Sequence, residues 1–96
     1  MSEIYVVKTI HINKEGNWNA SSDAIFMNVL KALDVVESNA GDLCEDGYNQ
    51  YAVVLEVLEG VYPIGEEICW FFWNREEDCY EPCDRPHFAD GFCFSI

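Results

Sequence analysis

The chain has 96 residues, half of them hydrophobic and 15% aromatic, and 18 acidic against 5 basic residues give a net charge of −13. That length supports a single domain, residues 1–96, with a thin core, and the apolar content excludes an intrinsically disordered chain. The acidity argues against direct binding of nucleic acid or anionic membrane, which both require Lys and Arg clusters, and no apolar run reaches the roughly 18 residues needed to span a bilayer.

Met1-Ser2-Glu3-Ile4 lacks the basic and apolar regions of a signal peptide, so a cytoplasmic location is expected. The five cysteines are an odd number, and in a reducing compartment they are expected as thiols. Cys69 and Cys93 lie in apolar runs and read as buried ones. The acidity itself serves solubility or attracts a basic partner surface.

Ile4 to Ile12 predicts a strand, with Ile4, Val6, Ile10 and Ile12 on one face and Lys8 interrupting it. Tyr5, Val7, Thr9 and His11 take the other face. Asn13 to Asn17 is turn chemistry, and Trp18 then begins a short return strand or caps the core. Ser21-Ser22-Asp23 reads as a helix start, because a serine hydroxyl accepts from free first-turn N–H groups and an acid suits the dipole. Phe26, Val29, Leu30, Leu33 and Val36 recur at helical spacing, so a helix is predicted over about Ser22 to Glu37. Asn39-Ala40-Gly41 ends it, either Asn or Gly being able to take the left-handed cap. Residues 41–50 form a loop carrying Asp42, Glu45 and Asp46.

Tyr51 to Trp73 is the most apolar stretch. Val53, Val54 and Val57 favour a strand over residues 50–59, although Tyr51, Val54, Leu55 and Leu58 also fit helical spacing. Glu59 to Gly65 is a wide connection, and Cys69 to Trp73 is a second, antiparallel strand. Arg75 to Asp78 opens a polar segment in which Pro82 and Pro86 discourage any long regular element. Gly91 to Ile96 reads as a last strand with Phe92, Phe94 and Ile96 on one face.

The expected fold is therefore α+β: a small, mostly antiparallel sheet of about four strands with one helix packed on one face, in the order β-α-β-β-β. One helix covers one face. Trp70 and Phe72 point opposite to Phe71 and Trp73, so the second face needs the Cys79 to Phe88 segment, a second copy in a homodimer, or another partner to shield it.

Cys79, Cys83, His87 and Cys93 are candidate zinc ligands, three thiols and an imidazole within 15 residues. Their three-residue gaps, holding Pro82 and Pro86, do not match a zinc knuckle, and the other reading is a loop with His87 solvated and Cys93 in the core. No catalytic group and no cofactor is expected: Cys83 with His87 lacks an orienting group, and the neighbouring acids Glu66-Glu67 and Glu76-Glu77 diverge. The remaining candidate is a partner-binding surface of Glu66, Glu67, Glu76, Glu77, Asp78, Glu81 and Asp84 around Trp73. With Asp90 these acids crowd into 25 residues, against only Arg75 and Arg85.

Tyr51-Ala52-Val53-Val54 through Tyr62-Pro63, then Trp70 to Asn74, Tyr80, Pro82 and Pro86, resemble a pattern in small bacteriophage proteins. The Ile4 to Val7 strand with the Ser22 helix is similar to short phage α+β proteins. In composition alone, the chain is similar to acidic anti-CRISPR and DNA-mimic inhibitors. That resemblance implies a non-enzymatic accessory protein that binds a host protein with a basic surface in the host cytoplasm, such as a CRISPR effector. The alternative expectation is a small structural or zinc-stabilised domain of a phage assembly.

Overall fold

Alternation of apolar residues at period two, with β-branched side chains concentrated in the same runs, builds an antiparallel sheet. The computed structural model describes residues 4–58 and 64–94. Among them are five strands: β1 (Tyr5–Ile12), β2 (Trp18–Phe26), β3 (Tyr51–Leu58), β4 (Ile64–Asn74) and β5 (Cys79–Cys83). One α-helix, α1 (Val29–Glu37), follows β2, and a single 3₁₀ turn spans His87–Ala89. The strands form one sheet in the order β2-β1-β3-β4-β5, with each neighbouring pair antiparallel. The α+β class and the single helix agree with the sequence reading, while the strand count and order, β-β-α-β-β-β, differ from it.

The two-faced readings of β1 and β4 hold. Tyr5, Val7, Ala52, Val54, Phe71 and Tyr80 pack with Ala32 and Val36 of the helix. Ile10, Val53, Leu55 and Trp70 form a second cluster on the opposite face. Residues 51–58 are a strand, which decides the strand-or-helix ambiguity. Gly65, opposite Val57, has no room for a side chain: a Cβ there would lie 2.7 Å from Leu55 Cδ1. The connection expected over 59–65 falls mostly outside the described residues.

The helix start is corrected. Ser21, Ser22 and Asp23 belong to β2, and Trp18 opens that strand while packing on the core cluster of the second face. Ser21 and Ser22 pair with Thr9 and Lys8, and Asp23 is the extra residue of a bulge. The Asp23 carboxylate accepts a hydrogen bond from the Thr9 hydroxyl. Phe26 is likewise a strand residue, opposite Tyr5. The cap is Asn28, in extended backbone, whose Oδ1 accepts from the N–H groups of Leu30 at 2.8 Å and Lys31 at 3.3 Å. The helical stripe is Val29, Ala32, Leu33 and Val36, whereas Leu30 is exposed. The end is as read. Asn39 is left-handed at φ 50°. Its N–H bonds Val36 O at 3.1 Å and that of Ala40 bonds Val35 O at 3.0 Å, a Schellman closure.

The C-terminal part differs most. Residues 79–83 form β5, so the polar segment begins with a hairpin. Residues 91–94 form no strand, and residues 95–96 lie outside the described residues. Phe94 instead turns inward to 2% exposure, and its carbonyl accepts from Gly65 N–H at 2.8 Å. Phe88, Ala89 and Phe94 lie over Trp70, Val53 and Leu55. The second face is therefore covered by the chain's own residues 88–94, with Trp70 4% exposed beneath them.

Candidate functional site

Two distant stretches of acids meet at one end of the sheet. The first is the β4–β5 hairpin, where Asn74 Oδ1 accepts from Glu76 N–H at 3.0 Å and Glu77 N–H at 3.3 Å. This side-chain-to-backbone turn is a common use of Asn and leaves the carboxylates in water. Glu76, Glu77 and Asp78 are all exposed, with Asp78 left-handed at φ 57°.

The second is the 39–50 loop, in which Asn39, Asp42, Glu45 and Asp46 have positive φ. Its shape is held by side chains. Asn39 Oδ1 accepts from Cys44 N–H at 2.9 Å, and Asn49 Nδ2 donates to Leu43 O at 2.8 Å. The Tyr80 hydroxyl of β5 donates to Asn49 O at 2.7 Å, tying the loop to the sheet. Burial of this phenol, reinforced by nearby acids, pushes its pKa well above the ordinary value.

Gly47 is the point of docking. It sits at φ 85°, and a Cβ there would stand 3.8 Å from Trp73 Nε1 and 3.9 Å from Arg75 Nη2. The loop thus comes against the hairpin, and Asp42, Asp46 and Asp78 line a shared cleft of about 330 Å³ with Trp73 and Arg75. Glu45, Glu76 and Glu77 flank it in sequence, and all six carboxylates are exposed. None of the six takes part in an ion pair among the described residues. Asp42, Glu45 and Asp46 were legible only as loop acids, because their proximity to the hairpin depends on tertiary docking.

The residues singled out in the sequence divide accordingly. Glu76, Glu77, Asp78 and Trp73 are at this end; Trp73 is half-buried against Tyr80, ring centroids 5.1 Å apart. Glu66 and Glu67 are near the other end of β4, roughly 25 Å away at the rise of a strand. Glu66 is exposed, while Glu67 is engaged: its Oε1 accepts from Trp70 Nε1 at 2.6 Å and from Arg85 Nε at 2.7 Å. That hydrogen bond raises the Arg85 pKa above its ordinary value. Arg85 also donates to Phe92 O at 2.6 Å, which pins the C-terminal segment to the sheet. Glu81 accepts from Asn74 Nδ2 at 2.6 Å, and Asp84 is exposed just after β5.

The zinc candidates are not brought together. Cys79 and Cys83 sit at opposite ends of β5, about 13 Å apart at strand rise. The His87 side chain is fully exposed beside Asp90, and Cys93 is exposed instead of being a core thiol. No group of three metal-ligating side chains occurs among the described residues. Burial raises the Cys69 and Cys83 thiols above their usual pKa, opposite to what a nucleophile requires.

The fold and this acidic end define a small antiparallel α+β domain with a negatively charged pole. Among the described residues no helix is long and apolar enough to cross a membrane. No protein-family model matches the chain, and no curated protein or solved structure is significantly similar to it.

Proposed function

We propose that this chain is a non-enzymatic binding protein that inhibits a partner by occupying its basic surface with the acidic pole. One observation carries the reading: Asp42, Asp46 and Asp78 converge on a cleft beside Trp73, with Arg75 as the basic residue lining it and exposed Glu45, Glu76 and Glu77 next to them in sequence. Keeping like charges together is unfavourable for the free protein, and a basic partner relieves it. The partner chemistry is a Lys- and Arg-rich groove that otherwise holds nucleic-acid phosphates. A nucleic-acid-handling defence factor, such as a CRISPR effector in the cytoplasm of a phage-infected host, offers such a groove. The phage-like sequence pattern supports that setting. The covered second face removes the aromatic patch as the main contact, so charge and the rim of Trp73 carry recognition.

The test is competition. Purified RNA-guided effectors are loaded with labelled nucleic acid and titrated with the protein at 50 to 300 mM salt. Displacement that weakens steeply with salt, and is lost in a D42N/D46N/D78N variant but kept in E66Q, is the expected result. Displacement unaffected by either salt or the triple substitution would refute the acidic-pole reading.

A further inference from the structure

Away from the acidic pole, Lys8 is the residue that breaks the apolar face of β1. It is 9% exposed, and no carboxylate lies within ion-pairing distance of it among the described residues. In a chain with 18 acids this is a cation without an ion-pair partner among the described residues. Its stem is packed away while its ammonium keeps contact with water, an unpaired positive charge open to an anion. Lys8 lines a cleft of about 320 Å³ together with Trp18, Asn19, Ala20, Phe92 and Phe94, between β2 and the C-terminal segment. Its aromatic wall is ordered by ring contacts. Trp18 meets Phe92 edge-on at 4.8 Å and Phe94 at 5.9 Å, and Phe92 remains 45% exposed at the mouth.

We propose that this cleft is a binding site for a small aryl carboxylate, the acid group meeting Lys8 and the ring lying against Trp18 and Phe92. Each part of the ligand follows from the site. The unpaired ammonium selects an anion, and the three rings select a flat apolar body. The net charge of −13 favours a single carboxylate over a polyanion, which the surrounding acids repel. The volume lies at the small end of ligand pockets, enough for one or two rings. Ala20 keeps that floor open, since a larger side chain on β2 would fill it. The site is independent of the acidic pole, so either proposal stands or falls without the other.

The probe is 4-fluorophenylacetate, followed by ¹⁹F NMR and by the indole ¹⁵N–H shift of Trp18. Its controls are 4-fluorophenethylamine and 4-fluorotoluene. Saturable binding of the acid with Kd below about 1 mM is expected, at least about tenfold tighter than either control. Lys8→Met should lose at least about tenfold in affinity while melting no lower than the parent, because it removes an unpartnered ammonium and retains the stem. Phe92→Ala, at an exposed position, should weaken binding without disturbing the fold. Equal affinity for acid and amine, unchanged binding by Lys8→Met, or no saturation by 10 mM acid each overturns the proposal. So does tighter binding of a peptide ending in Glu-Phe, which reassigns the cleft to a protein partner.

Discussion

Phe94→Ala tests whether the chain's own last residues close the second face of the sheet. Phe94 is 2% exposed, with its ring 5.6 Å from Trp70 and 4.9 Å from Phe92. Truncating a buried Phe to Ala typically costs about 3–5 kcal/mol, the lost burial plus the cavity left behind. The lower end applies, because the segment carrying Phe94 is held by few backbone hydrogen bonds and can sink toward the gap. A domain of this size has roughly 5–14 kcal/mol in total, so about 3 kcal/mol is a large share. It corresponds to a fall of about 12–24 °C in Tm. Urea unfolding read by tryptophan fluorescence measures it, with acrylamide quenching of Trp70 as the local readout. Phe92→Ala is the control: its ring is 45% exposed, and edge contacts of this kind are worth about 0.5–1.5 kcal/mol. A loss below about 1 kcal/mol for Phe94→Ala, or no more than for the control, would show that the face is shielded by something else.

Three further outcomes follow from the structure. Asn28→Ala should cost about 1 kcal/mol in chemical denaturation while Ser22→Ala is near neutral, because Asn28 alone accepts from the first helical N–H groups. The Tyr80 phenol has a raised pKa when folded, so its stabilisation is complete below the ordinary value near 10 and declines as pH rises beyond it. Tyr80→Phe should cost about 1 kcal/mol at pH 7, through the lost bond to Asn49 O, and flatten the alkaline decline between pH 10 and 12. In thiol labelling followed by peptide mass mapping, exposed Cys93 should react first and buried Cys44 last. Cys69 and Cys83 fall between them, slowed by burial that raises their pKa.

What could be read from the sequence, and what could not, divides along local and long-range interactions. The faces of β1 and β4 are periodic in the sequence itself, and the structure keeps them. Ser21-Ser22-Asp23 is ambiguous in principle. The same short polar side chains cap helices and decorate an edge strand, and only pairing with Thr9 and Lys8 selects the strand. Phe92-Cys93-Phe94 alternates as a strand does, but among the described residues its one backbone bond to the sheet is from Gly65 N–H to Phe94 O, and it joins no ladder. Phe94 gains more from burial over Trp70 than from a ladder. At the acidic pole the hairpin acids are adjacent in sequence and were legible. The loop acids join them through the fit of Gly47 against Trp73 and Arg75, a contact across about 26 residues that no local pattern encodes. Lys8 was visible as an interruption, but its lack of a partner was not.

Charge alone sets how fast two proteins meet more than how long they stay together, so an acidic pole that inhibits needs an apolar anchor beside it. Tyr48 fits that role. It lies in the same loop as Asp42, Glu45 and Asp46, is 53% exposed, and is held rigid by stacking on His11 at 3.6 Å between ring centroids. A preset aromatic ring loses little entropy on binding, and tyrosines at the centre of interfaces commonly cost 2 kcal/mol or more when removed. With whichever effector releases its nucleic acid, Tyr48→Ala should raise the dissociation rate at least about thirtyfold and leave the association rate within about twofold. Neutralising Asp42, Asp46 and Asp78 should do the reverse, slowing association and flattening its salt dependence. Surface plasmon resonance at two salt concentrations separates these effects. If Tyr48→Ala lowers the association rate and leaves dissociation unchanged, Tyr48 is not the anchor, and the half-buried Trp73 must supply the contact.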